Sequence, residues 1–228
     1  MTEVPLISLG LLLMWGTVVG LDLVSVPQGL LSRPLVSAAV TGWLLGNIEA
    51  GLRVGALLEL FALDVLPVGA SRYPEYGPAA VGAVLLAAGL PSGAQTGAGA
   101  LLGLLVAMLA GYSLEWLRHA NARHVHRWST ELDAGSATVI YRLQWAGIAR
   151  DVIRSGGITV VALALALIMR TRLGGVVQLP GFLTPVLVGA GLAAALSGAL
   201  RTAGRGRRLV WVGVGLAAGL VLALGVTT

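Results

Sequence analysis

An all-α integral membrane fold is what this sequence predicts, on three observations. The chain is 57% hydrophobic and only 11% charged, against roughly 25% charged residues in an average soluble domain. Its apolar residues fall into long runs near the ~20 residues needed to cross a bilayer. Its positive charges, fifteen arginines with no lysine, gather at the ends of those runs, as topology signals do.

About eight apolar segments can be drawn, at 5–21, 34–48, 52–65, 78–90, 96–112, 157–169, 179–200 and 209–226. The first lacks a basic flank and a small-residue cleavage site, so it reads as a retained span and not a signal peptide. The second opens on Arg33 and Pro34; proline suits a first helical turn, where its missing N–H would be unpaired anyway. A membrane-edge anchor followed by a helix start accounts for both residues.

The third segment, 52–65, would give only ~21 Å of helix against a ~30 Å hydrocarbon core. Short or re-entrant segments are therefore expected. Such backbone is tolerated at membrane depth only inside protein or beside water, and in transporters it marks the substrate path. The richest region for it is 22–78. Within that region, 66–78 holds three prolines, two glycines, Tyr73, Tyr76 and the opposed charges Arg72 and Glu75, which predicts a structured loop. Small-residue spacings such as Gly51 to Gly55 and Gly93 to Gly97 would let helices approach closely. In a chain with 33 glycines, chance is the simpler reading of them.

The polar stretch 113–154 carries six arginines, four acids and His119, His124 and His126, and is expected to be a cytoplasmic connection within a single membrane domain, 1–228. In 139–154, Ile140, Leu143, Gly147 and Val152 share one helical face, while Arg142, Arg150, Asp151 and Arg154 hold polar positions. An interfacial or docking helix fits that pattern. The layout puts twelve arginines on one side and Arg53, Arg170 and Arg172 on the other. By the positive-inside rule both termini then lie outside the cytoplasm.

These features also exclude function classes. The arginines mark membrane boundaries, not a nucleic-acid footprint. With no cysteine, disulfides, thiolate metal sites and cysteine nucleophiles are ruled out. The histidine spacing matches no metal-ligand pattern. No phosphate loop, nucleophile elbow or dinucleotide fingerprint occurs, so no catalytic residue, metal or cofactor is assigned, and transport or scaffolding must carry the function.

The candidate site is built on carboxylates inside apolar runs. A charge near a helix centre costs about 2.5–3.5 kcal/mol on the insertion scale and normally faces a cavity, a partner or a substrate. Glu59 is such a residue; its alternative role is a buried ion pair with Arg53. Asp64 lies nearer a segment end and could be only an interfacial charge. Carboxylates and amides can bind neighbouring hydroxyls of a polyol by paired hydrogen bonds, and Asp22, Gln28, Asn47, Glu59 and Asp64 form a plausible set.

Four motifs occur in series: Ser32, Arg33, Pro34, Leu35, Val36; then Gly42 through Gly46 and Asn47; then Gly51 and Gly55; then Leu58, Glu59, Leu60. In this series the chain resembles the IIC subunits of the mannose/fructose/sorbose phosphotransferase permeases. The likeness extends more loosely through about three-quarters of the chain. The resemblance implies a bacterial, multi-pass inner-membrane subunit that translocates a hexose or related sugar. It also implies a partner IID membrane subunit, an oligomer, and separate cytoplasmic IIA and IIB subunits that relay phosphate. It places Glu59 and Asn47 in or near the sugar site, with Asp22 and Gln28 as weaker extensions. Asn47 stands where the family usually has aspartate, which puts sugar preference or coupling in question. Two other readings stay open: a secondary transporter or channel that uses Glu59 or Asp64 for an ion, and a structural subunit.

Overall fold

In the computed structural model, residues 4–65, 72–90, 95–173 and 180–202, with positions 210, 214 and 215, are described and form eight α-helices. These are α1 (Leu6–Asp22), α2 (Pro34–Leu44), α3 (Ile48–Ala62), α4 (Tyr76–Ala88), α5 (Gln95–His126), α6 (Ser129–Asp133), α7 (Ala137–Leu173) and α8 (Leu183–Thr202). The first seven apolar segments each fall on a helix. The eighth, 209–226, lies almost wholly outside the described residues, as do Gly93, the arginines at 205, 207 and 208, and half of the 66–78 loop.

The fold is organised around α4. Tyr76 through Ala87 are all buried, and a helix apolar on every side has to be enclosed by others. It packs against α1, α2, α3, α5 and α7. Its small residues permit this: a Cβ added at Gly82 would lie 2.7 Å from the carbonyl oxygen of Ala162 in α7, and one at Gly99 in α5 would lie 2.6 Å from that of Ala83. Outside this core, Leu6, Ile7 and Met14 of α1, Leu105 and Met108 of α5, and Ile153 and Ile168 of α7 are exposed. A surface as apolar as the interior suits lipid as solvent.

Helices α2 and α3 form a hairpin whose arms, 11 and 15 residues long, reach only ~16 and ~22 Å. The glycine spacing between them is a packing device and not chance. A Cβ at Gly51 would come within 2.4 Å of the Ala38 carbonyl oxygen, and one at Gly55 within 2.8 Å of the Ala38 Cβ. The hairpin turns through Gly46, whose φ of +69° lies in the left-handed region that glycine adopts without steric cost.

Among the described residues, two helices, Gln95–His126 and Ala137–Arg172, are long and apolar enough to cross a membrane. At 32 and 37 residues, α5 and α7 reach ~48 and ~55 Å, well beyond a ~30 Å core. The polar 113–154 stretch is therefore mostly helical extension, closed by the short α6 and the left-handed Gly135. Its first half continues α5 because no glycine or proline interrupts it, and Arg123 sits in the last turn, where a cation complements the helix dipole.

The amphipathic 139–154 stretch is not a separate surface helix but the start of α7, and its polarity is partly inverted relative to the sequence reading. Asp151 and Arg154 are 1% and 8% exposed, whereas Ile140 and Val152 are turned outward at 52% and 39%. A helical wheel cannot show that the inward polar residues meet partners on other helices.

Candidate functional site

The hairpin's open end carries Glu59. Its carboxylate ion-pairs with Arg33 and accepts a hydrogen bond from the backbone N–H of Leu35 at 3.1 Å. Leu35 is in the first turn of α2, where N–H groups lack intrahelical partners and the helix dipole favours a negative charge. Pro34, beside it, occupies the first helical position, as the sequence predicts. Glu59 thus ties the last turn of α3 to the start of α2.

The alternative pairing with Arg53 does not occur. Arg53 bonds Glu49 one turn away at 2.5 Å, since six residues of helix put Arg53 and Glu59 on different faces. Arg33 is correspondingly more than an anchor. The side chains of Arg33 and Glu59 are 40% and 19% exposed, so the pair is reachable. Beside it lies a cavity of about 80 Å³ whose wall includes Ser32, Arg33, Pro34, Tyr73 and Tyr76.

Asp22, 2% exposed, closes α1 and organises the loop leading to Arg33. It accepts from the N–H of Gly29 at 2.5 Å and of Ser32 at 2.9 Å. On either side of Gly29, Gln28 and Leu30 have φ of +58° and +64°, conformations that cost roughly 1–2 kcal/mol each for residues with a side chain. Asp22 therefore acts on the Arg33–Glu59 pair through backbone. Gln28 is exposed and donates to the Val24 carbonyl oxygen at 3.3 Å.

Of the remaining two predicted residues, Asn47 falls at the other end of the hairpin and Asp64 at the same end as Glu59. Asn47 caps α3, accepting from the Ala50 N–H at 3.1 Å, and twelve residues of helix put it ~18 Å from Glu59. Asp64 follows α3 and lies against α8, where a Cβ at Gly198 would meet its Oδ1 at 3.2 Å. The structure thus brings Asp22 and Glu59 together through one loop and leaves Asn47 at the other end of the hairpin.

A second constellation, not foreseen from sequence, is a buried charge network. Arg154 of α7 holds Glu75 with both terminal nitrogens, at 2.5 and 3.0 Å, and Asp151 with Nε at 2.9 Å. It also donates to Ser113 Oγ of α5 at 3.2 Å, and Ser25 donates to Asp151 Oδ2 at 2.5 Å. The three charged side chains are 4% exposed or less, so the single cation is enclosed by two acids. Arg72, read in the sequence beside Glu75 as an opposed pair, instead bonds Glu115 at 2.6 Å and stacks over Tyr112. That bond holds the Glu115 carboxyl below its usual range. The legible signal for the network was Asp151 and Arg154, one helical turn apart and just before the apolar run at 157.

Comparison with known proteins decides the family. The profile of the family described as the sorbose-specific IIC component of the phosphotransferase system matches residues 6–195. The chain belongs to this family. A sorbose-specific EIIC component of Lacticaseibacillus casei is 33% identical over 69 residues, which are 30% of this chain and 24% of that protein. One from Klebsiella pneumoniae is 37% identical over 54 residues, 24% of this chain and 20% of that protein. The matched stretches thus span no more than about a quarter of these curated relatives.

The fold match covers far more of the chain. A structure described only as a membrane protein superposes with a TM-score of 0.75 at 18% identity, over 98% of this chain and 92% of that one. A chain of the mannose transporter ManYZ, solved with microcin E492, gives a TM-score of 0.63 at 20% identity over 100% and 97%. Family membership makes this a membrane protein.

Proposed function

We infer that the chain is the IIC-type membrane subunit of a phosphotransferase sugar permease of the mannose/fructose/sorbose group. In this reading it binds a hexose or related sugar and translocates it, while separate IIA and IIB subunits supply the phosphoryl group and a IID subunit completes the membrane pathway. It sits in a bacterial cytoplasmic membrane with its arginine-rich end, including 113–154, inside and both termini outside.

The observation that carries this reading is the partly exposed Arg33–Glu59 pair at the open end of a short hairpin, next to a small cavity whose wall mixes Ser32, Arg33 and two tyrosines with apolar residues. A sugar hydroxyl is both donor and acceptor, so it can accept from the guanidinium and donate to the carboxylate in place of their mutual bond. Such an exchange would release the end of α3 from α2 and the 23–33 loop. Sugar binding would then be coupled to movement of the hairpin against the α4-centred scaffold, in the manner of alternating access. Asp22 holds the loop that positions Arg33; Asp64 and Gln28 border the same end, and Asn47 keeps the far end of α3 in register.

The test is uptake of labelled hexoses by cells lacking their own hexose permeases. Uptake is expected only when this chain is expressed with IID, IIA and IIB. Uptake by this chain without the phosphoryl relay, abolished by dissipating the ion gradient, would replace the proposal with secondary transport.

A further inference from the structure

On the arginine-rich end a cavity of about 280 Å³ opens between the turn after α1 and the extensions of α5 and α7. Its polar lining is Ser25, Asn121, His124, Gln144 and Arg150, and the rest of the wall is apolar, with Val125 and Ile148 among it. No carboxylate lines it. The neighbouring acid, Asp151, is bonded by Arg154 and by the Ser25 hydroxyl, so its charge already has a partner.

Arg150 donates one hydrogen bond to Asn121 Oδ1 at 2.8 Å, and among the described residues no carboxylate pairs with it. A guanidinium has five N–H donors in a fixed fork, so this bond orients the group and leaves donors for a ligand. Asn121 and Gln144 each add an amide NH₂, and His124 adds a ring nitrogen. Three kinds of donor around a cation, with no acid, select an anion with several acceptor oxygens. Arginine favours phosphate over simpler anions because its fork binds two oxygens at once. Arg118, Arg123 and Arg127 on the α5 extension raise the local positive potential.

We propose that this cavity is a binding site for a phosphate ester, with Arg150 as its principal ligand and Asn121, His124 and Gln144 as supporting donors. The phosphate can come from a soluble sugar phosphate or from a phospholipid headgroup lying at the membrane edge; the apolar wall accepts the carbon portion of either. The site shares no residue with the Arg33–Glu59 pair and does not depend on the transport reading.

The experiment measures binding to the whole chain in nanodiscs of zwitterionic lipid. Inorganic phosphate, a hexose phosphate and the unphosphorylated hexose are titrated in turn. A second set of nanodiscs contains phosphatidylglycerol, and retained lipid is counted by native mass spectrometry. Saturable binding of a phosphate compound is expected, weakened about tenfold or more in Arg150→Gln, as loss of a charge-assisted contact implies. Asn121→Ala and His124→Ala should each weaken it less, and Arg142→Gln, an exposed arginine on the same helix, should leave it unchanged.

Hexose phosphate binding that exceeds lipid retention assigns the soluble source; the reverse assigns the headgroup. Equal weakening by Arg142→Gln and Arg150→Gln would overturn the proposal in favour of diffuse electrostatics, and so would binding of no phosphate compound at all. Should Arg150→Gln fail to fold, His124→Ala and Asn121→Ala decide the matter: wild-type affinity in both overturns it.

Discussion

Replacing Arg154 by methionine should be among the most destabilising single changes available in this chain. The substitution keeps an unbranched side chain in α7 but removes the cation that bonds both Glu75 and Asp151, whose side chains are 0% and 1% exposed. Breaking a buried pair from one side costs about 3–5 kcal/mol because a charge is left without compensation. At ~2–4 °C per kcal/mol for a chain of this size, that is a fall in Tm of roughly 6–20 °C. The assay is thermal unfolding of the purified chain in one detergent, read by loss of monodisperse protein. The triple variant Arg154→Met, Glu75→Gln, Asp151→Asn has no charge left to strand, so it should recover part of the loss. A single variant within ~1 kcal/mol of wild type, or a triple variant worse than the single, would refute the claim that Arg154 neutralises two buried acids.

Gly51→Val should destabilise by about 1–3 kcal/mol, the usual cost of overpacking, because even a Cβ there meets the Ala38 carbonyl oxygen at 2.4 Å; the midpoint of chemical unfolding checks it. Asn47→Ala should cost about 1 kcal/mol through loss of the α3 cap, while Asn47→Asp, which still accepts from Ala50, should cost less in the same measurement. The depressed carboxyl of Glu115 owes its shift first to the hydrogen bond from Arg72. Its stabilising contribution is present above the ordinary carboxylate pKa of ~4.3 and is lost as pH falls through the lower folded value. The Tm gap between wild type and Glu115→Gln should therefore narrow on acidification, and a gap that widens below pH 4 would contradict the pairing.

The sequence made much of the fold legible because its strongest signals are local. Runs of apolar residues placed seven helices, Pro34 placed the start of α2, and the cost of a carboxylate among leucines singled out Glu59. What stayed hidden depended on residues distant in the chain. Arg154 meets Glu75 across 79 positions, Glu59 meets Arg33 across 26, and no spacing rule connects either pair. The inward turn of Asp151 and Arg154 was masked for the same reason: polarity on a wheel reads as solvent-facing until a buried partner is known. Helix α5 ran past its apolar segment because hydropathy marks the edge of lipid and not the end of a helix. Asn47 and Glu59 were grouped by shared hydrogen-bonding chemistry, but the rise of α3 sets them at opposite ends of the hairpin.

The central claim is that the Arg33–Glu59 pair is the point where sugar engages the hairpin, and Glu59→Gln tests it most directly. Glutamine keeps an acceptor for the Leu35 N–H but removes the charge that holds Arg33. Labelled hexose uptake should be measured in cells expressing the variant with its IID, IIA and IIB partners, alongside membrane abundance of the chain. The account predicts normal abundance with uptake reduced at least about tenfold, the loss of one charge-assisted contact or more. Wild-type uptake by Glu59→Gln at equal abundance would contradict it.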